Sequence, residues 1–462
     1  PSAPVQLSIC ARLRGIINGV DSQEFLGMKN VVIPVVLVGV AAAGAASIKY
    51  TGDQAHESMV AFVDQVNQAP NYQGVLKVEL QSERSFIENS YRLELVLQDP
   101  DITEALSLER IPFDIRVKNS VLSAQYITQI APGELLDQIK ATQANPAKPA
   151  IQFLADASFN PFDQTLAIDH TLMTDTFSIK QKDTEVVIGA LESTGSLDGD
   201  QITGEGQMGS LTVSSAGEEV LKMSGVTMTQ SGTLVPGSSY MEGLFAEFTA
   251  DMKLREFWFN AQNKQMQVTL NDLGFEIRQT EKEERLLLDV VNSMGDMELS
   301  SAVEAPPVNL SSAKLDMTFD VNNAAFKTLT QQVNEMPAAQ RQNPFVMMGL
   351  MGGLTAQGIN LNLNAFDVQT DKGALVADGS VQMAAFDLMQ SMQDPNAIRS
   401  KLDGNFKFSV DESLVNALPD QQPRNQLNRL AKQGLVKKEG GKIVTEVNIV
   451  KGQITVNGIP MG

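Results

Sequence analysis

Alternation of apolar and polar positions runs through most of this chain. Leu76, Val78 and Leu80 alternate with Lys77, Glu79 and Gln81, and Tyr91-Arg-Leu-Glu-Leu-Val-Leu97 repeats the pattern. A period of two marks half-buried antiparallel strands, because successive side chains point to opposite faces of a sheet. Further strands are expected at Val121 to Ile130, Thr165 to Lys180, Glu185 to Leu191, Glu219 to Gln230, Phe245 to Phe259, Gln265 to Ile277 and Met297 to Val303. Thr194 to Asp200 and Gln230 to Ser239 carry the Gly, Ser, Asp and Pro that punctuate such runs. Ile359 to Val368, a turn at Thr370-Asp-Lys-Gly373 and Ala374 to Met383 make a hairpin, and Lys442 to Val450, Lys451-Gly452 and Gln453 to Gly458 make another.

Helical spacing interrupts the strands at a few places. Between His56 and Asn67 the apolar residues Met59, Val60, Phe62, Val63 and Val66 fall on one helical face. Three strands then run directly into short helices: Val121 to Ile130 into Pro132 to Lys140, Lys314 to Val321 into Ala324 to Asn334, and Gly404 to Val410 into Asp411 to Leu418. The expected class is therefore α+β, mainly β: a long antiparallel curved sheet or meander covered by short helices. Two regions are expected after the N-terminus: a β-rich one over 51–305 and an α+β one over 306–462 that closes with a β-hairpin.

Ahead of them stands an apolar run, Val31 to Ile48, uncharged and flanked by Lys29 and Lys49. At about 1.5 Å per residue it spans about 27 Å, close to the hydrocarbon thickness of a bilayer. Two readings compete. One is a retained signal-anchor, a single transmembrane helix over 28–50. The other is a signal peptide cleaved near Ala43-Gly44-Ala45, and the length of the run favours the anchor. Residues 1–27 precede the start-like Met28-Lys29-Asn30 and are read as a non-native extension, outside the fold. By these features the bulk of the chain lies in the periplasm, fixed to a bacterial inner membrane through residues 31–48.

Charge and cysteine usage agree with that placement. The only cysteine, Cys10, falls in the extension, so disulfides and thiolate sites are not expected in the exported part. The net charge of −20 repels nucleic acid and anionic head groups, which sets nucleic-acid binding aside.

Motifs for catalysis or cofactors fail on inspection. The two histidines, His56 and His170, lack the spacing of a zinc site, and Asp169 beside His170 would face the other side of a strand. Gly204-Glu-Gly-Gln-Met-Gly209 satisfies Gly-x-Gly-x-x-Gly, yet it sits among strand segments with no helix to follow, so turn or bulge glycines are expected there. Asp198 and Asp200 lack the remaining spacing of a calcium loop. No enzymatic activity, cofactor or metal is expected. One segment invites a contact role: Asn343 to Leu354 is apolar nearly all round, and Phe345, Met347, Met348, Leu350, Met351 and Leu354 form a flexible, methionine-rich surface. The competing reading is a buried helix covering the sheet.

The layout resembles a known family. The strand and helix of Lys314 to Met336, an apolar insert ending at Gly358, the Ile359 to Met383 hairpin, the Leu414 to Val436 helices and Lys451-Gly-Gln-Ile-Thr-Val-Asn-Gly458 together look like the bacterial YdgA-like (DUF945) family. The resemblance covers Met28 to Gly462 in layout and is most specific from Lys314 onward. It implies an inner-membrane-anchored, periplasm-facing envelope protein of Gram-negative bacteria without established enzymatic activity, and it supplies no catalytic residues. The functional expectation is a binder of an apolar ligand or lipid, or of another envelope protein. A self-associating scaffold, working as a homo-oligomer, is the alternative, and an unfamiliar hydrolase comes third.

Overall fold

The computed structural model describes residues 75–461, less 85–87, 100–102, 104–108, 121, 163–164, 182, 237–243, 261–265, 302–308, 337–343, 387–397 and 418–420, together with eight helical positions between 56 and 68. The extension 1–27 and the apolar run 31–48 lie outside the described residues. Among the described residues no helix is long and apolar enough to cross a membrane.

The chain is mostly strand, its described strands pair antiparallel, and it divides into two compact units: one running up to Thr194 and taking in Leu211–Val220, the other formed by Gly195–Ser210, Leu221–Asn260 and the chain from Lys264 onward. In the first unit β1 (Leu76–Arg84), β2 (Glu88–Leu97), β3 (Arg110–Asn119), β4 (Ser123–Ile130), β5 (Ile151–Asn160) and β6 (Thr165–Thr174) pair in sequence order. A hairpin of β7 (Phe177–Gln181) and β8 (Thr184–Ile188) follows, and β8 pairs with residues 211–215. Burial follows the sequence alternation: Leu93, Leu95, Phe113, Ile115, Val117, Tyr126 and Phe153 are buried on one face. α1 (Glu134–Thr142) packs beside β7 and buries Leu135 and Ile139; of the helical face read between His56 and Asn67, Met59, Val63 and Val66 are buried, Val60 is 38% exposed and Phe62 lies outside the described residues.

One strand expected from sequence is two. Thr165 to Lys180 breaks at Asp175-Thr176, because the Asp175 carboxylate accepts from the backbone N–H groups of Asn145 (2.7 Å) and Thr176 (2.9 Å) and from Gln143 Nε2 (3.2 Å). A side chain that captures backbone donors in this way competes with the strand ladder.

The second unit is built from longer strands. After β9 (Leu191–Asp198) come β10 (Gln201–Ser215), β11 (Glu218–Leu234), β12 (Phe245–Asn260), β13 (Met266–Lys282), β14 (Arg285–Met294), β15 (Met297–Ser301) and β16 (Asn309–Asn322). Then follow β17 (Ile359–Thr370), β18 (Gly373–Met383), β19 (Leu402–Asp411), β20 (Lys437–Glu439), β21 (Lys442–Val450), β22 (Gln453–Val456) and β23 (Ile459–Met461). The helices are α2 (Asn323–Glu335), α3 (Pro344–Thr355), α4 (Glu412–Ala417) and α5 (Gln421–Lys432). β14 and β15 pair end to end along β13 and β16, so strands on both sides of residue 305 share one sheet.

Two stretches read from sequence as punctuation are strand in part. β9 runs to Asp198 and β11 to Leu234, with only Gly199 at positive φ (59°) to reverse the chain before β10. Turn-rich composition is overridden there by pairing, as the Leu234 N–H donating to the Asp200 carbonyl shows (2.7 Å). The three strand-to-helix units recur as expected, in β4 to α1, β16 to α2 and β19 to α4.

Candidate functional site

Cross-strand registers place the apolar positions of the second unit in rows across one face. One row is Met228, Met252, Phe275, Asn292, Leu315, Phe366, Ala377 and Phe408, each residue directly opposite the next. A parallel row holds Ala250, Ile277, Val290, Met317 and Leu363, and the next holds Phe248, Leu288, Phe319, Leu361 and Val381. The opposite face is mostly polar, with Asp251, Glu276, Arg278, Asp289, Asp316, Thr318, Asp320 and Asn360, though Leu287 and Val291 also lie there.

Bulges keep this sorting intact. Successive apolar positions widen from two apart to three at Met223/Val226, Leu254/Phe257, Leu270/Leu273 and Met294/Met297, where Gly225 (φ 68°) and Asp272 (φ 51°) adopt positive φ. An inserted residue returns the alternation to the same face; without it every later side chain would change sides. β17 repeats the device between Leu363 and Phe366.

The polar face is tied across strands. Asn364 Nδ2 donates to Asp316 (2.8 Å) and to Thr318 Oγ1 (2.9 Å), Thr318 Oγ1 donates to Asp289 (2.6 Å), and Asp320 receives Arg285 Nε (2.7 Å) and Asn360 Nδ2 (2.8 Å). The Asn364 amide, aided by Lys314, holds the Asp316 carboxyl below the usual carboxylate range.

Among the described residues, helices cover only the corners of the apolar face. α2 and α3 meet it where Leu286, Val321 and Leu354 are buried against Ala325, Phe326, Leu329 and Ile359. α4 and α5 meet it where Val415, Val436 and Ile443 are buried against Val410, Leu427, Leu430 and Ala431. Between these corners Met252 (45% exposed), Met228 (43%) and Phe408 (40%) reach solvent, while Leu254 and Ala377 are buried. A groove of about 450 Å³ lies there, lined by Met252, Leu254, Phe275, Met294, Leu315 and Phe366. Its size falls within the roughly 300–1,000 Å³ of small-molecule sites, and its walls are apolar as theirs are.

The segment singled out in the sequence forms α3, next to this face. Leu354 is buried in the corner, Met348 and Leu350 are half-buried, and Met351 is 38% exposed. The side chains of Phe345 and Met347 lie outside what is described. Gly349, Gly352 and Gly353 have no neighbour within 4 Å of the Cβ position, so the helix is anchored through its C-terminal turn while that flank is open. It is neither fully buried nor part of the groove wall.

Other candidate residues are dispersed. His170, on β6 of the first unit, packs against Phe153 (ring centroids 5.8 Å), and burial pushes its pKa below the usual histidine value despite the Asp169 carboxylate nearby. His56 stacks on Tyr91 at 5.9 Å. Gly204, Gly206 and Gly209 lie along β10, so they are neither turn glycines nor the mouth of a helix; Gly204 leaves room for the Gln230 side chain. Among the described residues no group of three or more His, Cys, Asp or Glu side chains could hold a metal ion.

The groove was missed by sequence reasoning because β14 was not recognised as a strand. Arg285-Leu-Leu-Leu-Asp-Val-Val-Asn-Ser-Met294 has apolar residues on both parities, which hides the alternation of Leu286, Leu288 and Val290.

The family model for bacterial proteins of unknown function DUF945 matches residues 28–462. The chain belongs to the DUF945 family. No curated protein and no solved structure matches it. In this DUF945 protein, then, the amphipathic sheet and its groove are read from the chain's own geometry. What DUF945 membership adds is that the apolar run 31–48 and both compact units fall within a single family match.

Proposed function

We propose that this DUF945 protein is a non-enzymatic envelope protein, anchored in the inner membrane through residues 31–48, whose periplasmic sheet binds the apolar part of a lipid. The observation that carries the reading is the row from Met228 to Phe408: between the two corners that the described helices cover, Met228, Met252 and Phe408 reach solvent beside an apolar groove. Leaving large side chains such as Met252 in water forgoes about 25 cal/mol for each Å² that a ligand could cover. A bilayer beside the sheet supplies such a ligand at high local concentration.

The test is lipid carried through purification. The full chain and a Met252→Glu, Phe408→Glu variant are extracted and their bound lipid measured by mass spectrometry. Both positions are exposed, so the fold survives, while a carboxylate facing an acyl chain costs several-fold or more in retention. At least a fivefold fall in lipid per protein is expected. Equal lipid in both proteins sinks the reading, and a discrete lipid-free oligomer would support the self-associating scaffold instead.

A further inference from the structure

Asn292 interrupts the apolar row. It lies on β14 between Phe275 and Leu315, half-buried in the groove wall, and all its lateral neighbours from Met228 to Phe408 are apolar. Other polar groups on this face are engaged: Gln279 Nε2 donates to the Phe245 carbonyl (2.7 Å), Thr445 Oγ1 donates to the Leu435 carbonyl (3.1 Å), Glu281 pairs with Lys327 (3.0 Å), and Gln230 also has a partner. The Asn292 carboxamide has no hydrogen-bond partner among the described residues. A carboxamide offers two donors and an acceptor, and covering it with hydrocarbon alone would leave them unsatisfied.

We infer that Asn292 is a specificity-determining residue, and that the groove takes an acyl-ester lipid whose ester carbonyl accepts a hydrogen bond from Asn292 Nδ2. This rests on the groove reading above and names its ligand class. The row extends three strands from Asn292 to Met228 and four strands to Phe408. At about 4.8 Å per strand that gives apolar tracks of roughly 14 Å and 19 Å on either side. A diacyl lipid fits this pattern, with its ester region at Asn292 and one acyl chain along each track; a plain alkane would bury the amide unpaired.

A matched pair of probes isolates the carbonyl. Short-chain dihexanoyl phosphatidylcholine and its dialkyl ether analogue share head group and chain length, and each is titrated against 8-anilinonaphthalene-1-sulfonate bound to the full chain. The wild type is expected to bind the ester roughly three- to tenfold more tightly than the ether, the worth of one neutral hydrogen bond. Asn292→Leu should abolish the preference by weakening the ester alone, so that unchanged ether binding reports an intact fold. Equal affinities in the wild type, or a preference that survives in Asn292→Leu, overturn the assignment of Asn292. Met252→Glu separates the two ideas: it should weaken both probes, and if it weakens neither, the groove reading itself fails.

Discussion

Replacing Leu286 by alanine tests whether the helices are held on the apolar face by a single small core. Leu286 has no exposed surface, and it joins β14 to α2 and α3 through Val321 and Leu354. Leucine-to-alanine changes in cores cost about 2–5 kcal/mol, rising with the cavity left behind. Here only two other residues of the cluster are fully buried and four are half-buried, so the neighbours can settle inward, and a value near 3 kcal/mol is expected. Little else compensates. The Lys327–Glu281 ion pair, at 3.0 Å with both side chains partly in water, contributes about 0–1 kcal/mol. The effect should therefore be local: hydrogen exchange across α2 and α3 should speed up about 100-fold, since about 1.4 kcal/mol is a factor of ten. The β17–β18 hairpin should keep its protection. Less than threefold acceleration in the helices, or the same acceleration throughout the sheet, would refute the claim that this corner holds them.

Three further outcomes are expected. At Asp175, burial works against ionisation but is outweighed by the hydrogen bonds from Thr176, Asn145 and Gln143, so its carboxyl is held below the usual value. Its contribution is then present above the unfolded carboxylate value near about 4 and is lost as pH falls through the lower folded one. Asp175→Ala should cost about 1–3 kcal/mol at near-neutral pH, a gap that narrows in acid denaturation series; a gap independent of pH would contradict this. Gly452, at φ 74° in the β21–β22 turn, has the Arg399 carbonyl where a Cβ would sit, whereas Gly440, at φ 59°, has nothing within 4 Å. Gly440→Ala should cost about 1–2 kcal/mol for its backbone alone and Gly452→Ala clearly more, and equal melting temperatures would show the contact to be immaterial. Met228→Glu, on the exposed end of the apolar row, should leave stability within about 0.5 kcal/mol while lowering 8-anilinonaphthalene-1-sulfonate fluorescence; unchanged fluorescence would place the dye elsewhere.

Much of the architecture is legible in local pattern. The Ile359 to Met383 and Lys442 to Val456 hairpins follow from strict alternation around short turns, and α1, α2 and α4 follow from apolar residues at three- and four-residue spacing. These signals are local, because a hairpin or an amphipathic helix needs only its own residues to declare its period. Asp175 was not legible as a break, since its effect depends on Asn145 and Gln143, some thirty residues away. The site was less legible than the fold. Phe345 to Leu354 advertises itself by composition, yet the groove is lined by residues scattered over β12 to β17, among them the unrecognised β14.

What the sequence by itself determined is class and period: a β-rich, acidic chain, free of cysteine after Cys10, with an apolar run able to span a bilayer. Tertiary structure alone decided which apolar residues share a face and which of them remain open. That outcome depends on register, and register depends on bulges such as Gly225, Asp272 and Asn364 that shift the alternation by one residue in neighbouring strands together. A single strand's pattern cannot show this, because a one-residue displacement acquires meaning only against the strand beside it. Asn292 looks like an ordinary polar strand residue in the sequence; opposite Phe275 and Leu315 it becomes a lone polar group in an apolar row.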